Sequence, residues 1–345
     1  MVKKETIVAV VSALVLAALV WLVMGGKLPD LASAPKVVVY VSEDRVFSEP
    51  VLESFEKETG IRVEAIYDTE ESKSTGVMNR LIAERGNPRA DVYWANEPIR
   101  AEVLKQKGIS APYRSKNGDG IPSHFKDPDG YWCGFSARAR VFVVNGRVTQ
   151  PPVSILDYTE PRWRGRAVIA NPLFGTTTAH MAALFAYWGD ERAEAFMRAM
   201  HKNGVTLSTS NGESADLVAM GRFDFALVDS DDVINRMRQG RAVRMVYPDQ
   251  EEGGIGCFIV PNAVVLIKGA PHPKTAKRLI DYLLSKETER KLAFADCAQI
   301  PLHKGVPIPK ELTPIEEIRV MRVDYAEVAK KLVAIQPFLK EWVGL

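Results

Sequence analysis

Asp229, Asp231 and Asp232 put three carboxylates within four residues, at the end of Phe223-Asp-Phe-Ala-Leu-Val-Asp-Ser-Asp-Asp232. The apolar run before them reads as a buried strand, and Val233 to Gln239 as a helix, so the acids share one corner. Carboxylates this close repel one another. A fold keeps them for helix capping, for solvation, or because something cationic binds there.

In open parallel sheets ligands lie beyond the carboxyl ends of the strands. The loops and helix starts just after the predicted strands bring together Asp44, Ser74, Thr75, Glu97, Asn171, Thr176, Thr177, Asp229 and Asp231. Carboxylates of this kind collect around cations, and hard cations prefer oxygen ligands. Hydroxyls and amides at helix starts stand beside unpaired N–H groups, which bind anions. The combination suits a metal ion carried with an anion, or an organic cation that bears an acidic group. For a metal, the ligands expected are Asp44, Glu97, Asp229 and Asp231. Simpler roles exist for each residue alone: Asp231, Asp232 and Thr176 as N-caps, and Glu97 before Pro98 as a first-turn carboxylate at a helix dipole. Trp94, Tyr40 or Tyr67 could stack on an organic cation, although strand aromatics are ordinarily core.

Catalytic arrangements are not legible. The five histidines do not cluster and His180, among Met181, Ala182 and Ala183, reads as packed. There is no G-x-S-x-G, no P-loop and no C-x-x-C, so no nucleophile–base pair and no thiolate zinc site can be placed. Cys133, Cys257 and Cys297 are widely spaced beside apolar neighbours and read as buried thiols. The expectation is a binding protein, not an enzyme. A net charge of +2 over 345 residues, without a polybasic run, argues against nucleic acid as a partner.

The elements that position these residues alternate. Strands are predicted at Val37–Val41, Arg62–Tyr67 and Ala90–Ala95, each followed by a helix, and the same rhythm returns from Ala167 to Tyr247. Short connections without hairpin signals make this an α/β chain with open, mostly parallel sheets. Tyr131–Asn145 and Cys257–Ile267 are too long and too apolar for ordinary strands, and are read as two crossings between lobes. Two such crossings imply a hinge with a cleft beside it. The last helix, Val323–Trp342, should kink or end near Gln336 because of Pro337.

Ahead of this, Lys3 and Lys4 precede an uncharged run from Ile7 to Met24, which fits a secretory signal or an N-terminal anchor. The run is long for a signal core and Ala32-Ser-Ala34 is followed by Pro35, so a retained anchor is favoured, contacting the membrane through residues 7–24. Residues 1–35 are thus set apart from the fold. Residues 36–136 and 262–345 are assigned to one lobe and 137–261 to the other.

Several blocks resemble the extracellular solute-binding proteins of ABC importers, most closely the ferric-iron-binding periplasmic branch. They are Val38-Val-Tyr-Val-Ser-Glu-Asp44, Phe55-Glu-Lys-Glu-Thr-Gly60, Leu81-Ile-Ala-Glu84, Ala90-Asp-Val-Tyr-Trp-Ala-Asn-Glu97, Trp163-Arg-Gly165, Asn171-Pro-Leu-Phe-Gly-Thr-Thr177, Ile267-Lys-Gly-Ala-Pro-His-Pro273 and Ala298-Gln-Ile-Pro301. The resemblance implies a type II periplasmic-binding-protein-like fold that closes on a small solute and passes it to an ABC permease, acting as a monomer in the periplasm or elsewhere outside the cytoplasm. It implies no cofactor beyond bound Fe3+ with a synergistic anion. In ferric binders of this family a His and a Glu of one lobe and a tyrosine pair of the other hold the metal. Glu97 matches the Glu, Asp44 falls at the His, and Val228–Asp232 holds no tyrosine. The alternatives are a membrane-tethered sensory receptor and a binder of an organic cation such as thiamine or a polyamine. Under all of them, Asp229→Asn or Asp231→Asn is expected to weaken solute binding without unfolding the domain.

Overall fold

Val37-Val-Val-Tyr-Val41 is β-branched or aromatic throughout and buried, as a strand covered on both faces requires. In the computed structural model, which describes residues 35–68 and 76–345, it forms most of β1 (Lys36–Val41). β1 pairs in parallel with β2 (Arg62–Tyr67) and β3 (Val92–Ala95). Helices α1 (Arg45–Thr59), α2 (Gly76–Ala83) and α3 (Pro98–Gln106) follow β1, β2 and β3 in turn. α1 stops at Gly60, whose φ of 69° is a left-handed cap open to glycine at little cost. The anchor or signal run at 7–24, and Ser74 and Thr75, lie outside the described residues. No described helix is long and apolar enough to cross a membrane.

β10 (Ile259–Ile267) lies antiparallel to β3, and its other side pairs with β5 (Cys133–Asn145) and with the two-residue β4 (Ser110–Ala111). Only β10 runs against the other strands of this first sheet. The second sheet repeats the plan. β7 (Thr206–Ser208), β6 (Ala167–Ala170) and β8 (Phe225–Asp229) are parallel, and β5 runs against β8 and β9 (Val243–Val246). Each half therefore reads second, first, third, reversed, fourth, with one reversed strand inserted from the other half's stretch of chain. Sequence alternation predicted the parallel strands but was silent on the reversed one. Between β6 and β9 run α4 (Gly175–Trp188), α5 (Asp190–Lys202), α6 (Asn211–Ala219) and α7 (Ser230–Arg238).

β5 changes sheets within one residue. Cys133–Ala139 pair with β10, and Arg140–Val144 pair with β8. The return passage is less regular than its apolar sequence suggested, since the β10 ladder starts at Ile259. Before it, Cys257 bridges to Val320, and the Arg140 N–H donates to the Phe258 carbonyl at 2.9 Å. Gly256 explains the break. Its φ is 85°, and a Cβ there would lie 2.6 Å from the Val320 carbonyl carbon and 2.7 Å from the Met321 nitrogen. Because both obstacles are backbone, Gly256→Ala should destabilise the protein by about 2 kcal/mol or more. A lowered urea midpoint checks this.

After α8 (Pro273–Leu283) and α9 (Lys286–Phe294), the tail forms two helices, α10 (Tyr325–Ala334) and α11 (Gln336–Val343). Pro337 sits in the first turn of α11, where its missing N–H has no intrahelical partner to lose. Although the sequence reading assigned the tail to the lobe of residues 36–136, α10 packs against both α3 and α4, and the Trp342 indole donates to the Met197 carbonyl on α5 at 2.7 Å. The tail thus spans both halves. A second helix face, invisible to linear order, decides where it docks. The three cysteines are buried free thiols.

Candidate functional site

β5 carries Ser136-Ala-Arg-Ala-Arg140, two arginines at a spacing of two in an otherwise apolar strand. That spacing puts both side chains on the same side of the strand. Arg140 is fully buried and stands opposite Asp229 in the β5–β8 ladder. Its Nη1 donates to Asp229 Oδ1 at 3.0 Å and to Thr176 Oγ1 at 3.0 Å, and its Nη2 to Thr177 Oγ1 at 3.1 Å and the Leu227 carbonyl at 3.3 Å. Thr176 Oγ1 in turn donates to Asp229 Oδ2 at 2.7 Å, and Asn211 Nδ2 reaches the same oxygen at 3.3 Å. Thr177 Oγ1 donates to Asn211 Oδ1 at 3.2 Å.

Asp229 is only 6% exposed, so this network settles its chemistry. Burial works to raise its pKa, but the Arg140 and Arg138 guanidiniums outweigh it and the net direction is down. Asp229 occupies the N-cap of α7 without making a side-chain cap bond. Thr176 and Thr177 do not cap either, since the N-cap of α4 is Phe174. The sequence offered Asp229 as a contact for an incoming cation; in the structure Arg140 brings a cation to it from within the chain. Asp229→Asn takes a charge out of this network, so it tests the fold as well as binding. Asn171 Oδ1 accepts from the Leu173 N–H at 3.0 Å, which shapes the turn into α4.

Arg138, two residues before Arg140, has different company. Glu43, Asp229, Asp231 and Glu97 all act to keep it charged, against its burial. Its Nη2 donates to the Asn96 carbonyl at 2.5 Å, and its Nε is buried without a partner. Carboxylates from the ends of β1 and β3 thus meet those from the end of β8 around one guanidinium. Glu97 is 5% exposed, at the N-cap of α3, and pairs with Arg100 at 3.1 Å. Glu43 is the buried acid after β1, while Asp44 is half-buried at the N-cap of α1. Gln299 Nε2 donates to Glu43 at 3.1 Å, Asn262 Nδ2 donates to Gln299 at 2.7 Å, and Trp94 Nε1 donates to Asn262 at 3.1 Å. That chain fixes Glu43 from behind.

Asp231 and Asp232 lie in the first turn of α7. One carboxylate oxygen each from Asp229, Asp231 and Asp232 falls within 4.8 Å of the others. Asp231 Oδ1 is buried and has no hydrogen-bond partner. Burial first, then the charge of Asp229, pushes its pKa up to about 6. Asp232 is also raised, well above the ordinary carboxylate value, by burial and then by Asp231 and Asp229, against the pull of Arg236, whose Nη1 lies 3.4 Å from its Oδ1.

The aromatic candidates are engaged elsewhere. Trp94 is buried, the Tyr40 hydroxyl donates to Glu84, and Tyr67 lies under Arg45, 5.3 Å from its ring centroid. His180 is buried near Arg140, and burial, then that charge, holds it well down and so neutral. Arg138 and Arg140 were missed because sequence reasoning sought groups after strands, and Glu43 because its neighbour Asp44 was preferred. Alternate arginines inside an apolar strand were the available signal.

Two sheets of one plan, joined by a strand that carries charge into the space between their acidic ends, define a two-lobed binding protein. Residues 95–331 match the family described as bacterial extracellular solute-binding protein, and this chain belongs to that family. Its members are binding proteins that work outside the cytoplasm as the solute-binding components of ABC importers. Iron uptake protein A1 of Synechocystis sp. is 26% identical over 85% of both chains. A putative 2-aminoethylphosphonate-binding periplasmic protein of Salmonella typhimurium is 25% identical over 90% of both. The structure is also similar to Trichodesmium FutA in complex with iron and citrate, with a TM-score of 0.78, 24% identity, and 90% of this chain and 99% of that one covered.

Proposed function

We propose that this chain is the receptor of an importer for a small solute that combines a cationic centre with an acidic group, of the aminoalkylphosphonate type. One juxtaposition carries the reading: a buried donor without a partner, Arg138 Nε, and a buried acceptor without a partner, Asp231 Oδ1, in the same charge cluster. Arg138 suits a phosphonate or carboxylate, and Asp231 with Asp232 suits an ammonium. Glu97 and Glu43 complete the acidic wall, and the β5 crossing acts as the hinge about which the wall closes. Asp44 and Asn171 form the outer rim, and Thr176, Thr177 and Asp229 form the support beneath it. The partner is a membrane permease, the receptor works as a monomer without catalysis, and residues 7–24 tether it to the membrane.

A second reading, a ferric ion carried with an anion, is favoured by the three carboxylate oxygens within 4.8 Å. Against it, both oxygens of Asp229 already serve Arg140, Thr176 and Asn211, and Val228–Asp232 holds no tyrosine. A thermal-shift comparison separates the two readings. At a hundredfold excess over its Kd, 2-aminoethylphosphonate should stabilise the protein by about 2.7 kcal/mol. Ferric citrate should shift it less. The reverse order would favour iron.

A further inference from the structure

A cavity of about 320 Å³ opens at the end of the first sheet remote from the proposed site. Arg85, Arg89, Lys107 and Lys268, all exposed, ring a floor that includes Leu81, Ala90, Ile109 and Ile267. Glu84 is the one acid of the lining, and it already accepts from Arg80 at 2.9 Å and from the Tyr40 hydroxyl. The neighbouring ion pairs Lys36–Glu64, Arg62–Glu64 and Arg80–Glu84 use none of the four cations. An apolar floor under a cationic ring suits an amphiphile with an anionic head.

The path of the chain says which amphiphile. β1 and β3 are parallel and start at this end, with Val39 opposite Val92. Thr275 Oγ1 donates to the Lys36 carbonyl at 2.5 Å, and Asp91, adjacent to Ala90 of the cavity, accepts from the Val38 N–H at 2.7 Å. The domain is therefore entered beside the basic cavity. Residues 25–34 separate that point from the uncharged run ending at Met24, and ten residues reach at most about 35 Å. We infer that this end of the first lobe is a membrane-facing surface, on which Arg85, Arg89, Lys107 and Lys268 bind anionic lipid headgroups. The orientation rests on the reading of residues 7–24 as a tether, which would hold the basic surface close to the headgroups.

The test uses the full chain in vesicles of phosphatidylcholine alone or with phosphatidylglycerol. Asn87→Cys, exposed between two of the cations, takes a fluorophore, the native thiols being buried, and the lipid headgroups carry a quencher. Quenching roughly threefold stronger with phosphatidylglycerol is expected, and it should be lost at about 0.5 M salt and in R85Q/R89Q/K107Q/K268Q. Equal quenching in both lipids, or quenching indifferent to salt in the unmodified sequence, overturns the proposal whether or not the fourfold variant folds. Retention of the chain in the vesicle pellet at high salt tests the tether separately. If the tether fails, sedimentation at low salt with phosphatidylglycerol vesicles decides the surface: binding that requires the four cations supports it, and no binding overturns it.

Discussion

Arg140→Met should destabilise the protein by about 3–5 kcal/mol, because it leaves Asp229 charged, buried and without its cation. Thr176 and Asn211 would remain as hydrogen-bond donors to Asp229, but neither carries charge. A methionine also cannot replace the bonds that Arg140 gives to Thr177 and the Leu227 carbonyl. The double variant Arg140→Met, Asp229→Leu should recover most of the loss, since removing both charges leaves neither unpaired. Urea unfolding of the single and double variants checks this, and equal losses in both would show that packing, not charge, is at stake. The pH dependence has a definite sign. A carboxylate whose folded pKa lies below its unfolded value stabilises the fold above the unfolded pKa, about 3.8–3.9. For Asp229 that contribution is lost as the pH falls through its lowered folded value.

Asp231→Asn should behave in the opposite way, leaving the melting transition nearly unchanged while weakening binding of an aminoalkylphosphonate about tenfold or more; Arg138→Gln should weaken binding to the same extent and also lower the melting point, because the acids around it lose their cation. Arg138 Nε and Asp231 Oδ1 are both buried without hydrogen-bond partners, which leaves them open to a ligand. Asp231 also gives binding a pH dependence. With its carboxyl pushed up to about 6 in the free protein, affinity for a cationic group should fall as the pH drops through 6. In Asp231→Asn that inflection should flatten. The free protein's own stability responds with the other sign: a raised carboxyl contributes most at low pH, and its contribution declines as the pH rises from the unfolded value towards 6. Titration calorimetry at pH 5 and pH 7.5 separates the two effects, and an affinity that does not change between them would remove Asp231 from the site.

Much of the architecture was legible because it follows from local pattern. The apolar runs at 37–41, 92–95 and 225–228 are buried strands, the helices between them begin and end near the predicted positions, and Pro337 divides the tail where its chemistry requires. Long-range pairing was not legible. Nothing local says that β10 inserts between β3 and β5, or that α10 bridges α3 and α4. The site was half visible for a related reason. Acids at strand ends can be listed from sequence, but their charge state depends on what faces them. Asp229 faces Arg140, 89 positions away in sequence. Glu97 was expected as a ligand or a helix-dipole carboxylate, and Arg100 pairs with it within its own helix. Glu43, one residue from the Asp44 singled out, is the deeper acid because the Gln299–Asn262 chain reaches it.

The central claim is that a small solute binds between the lobes on Arg138 and Asp231. The most direct measurement is calorimetric titration of the protein with 2-aminoethylphosphonate, beside Arg138→Gln and Asp231→Asn. One site per chain is predicted, weakened by about 1.4 kcal/mol or more in each variant. A wild-type protein that binds ferric citrate but not the phosphonate, or variants that bind the phosphonate as well as the wild type does, would contradict it.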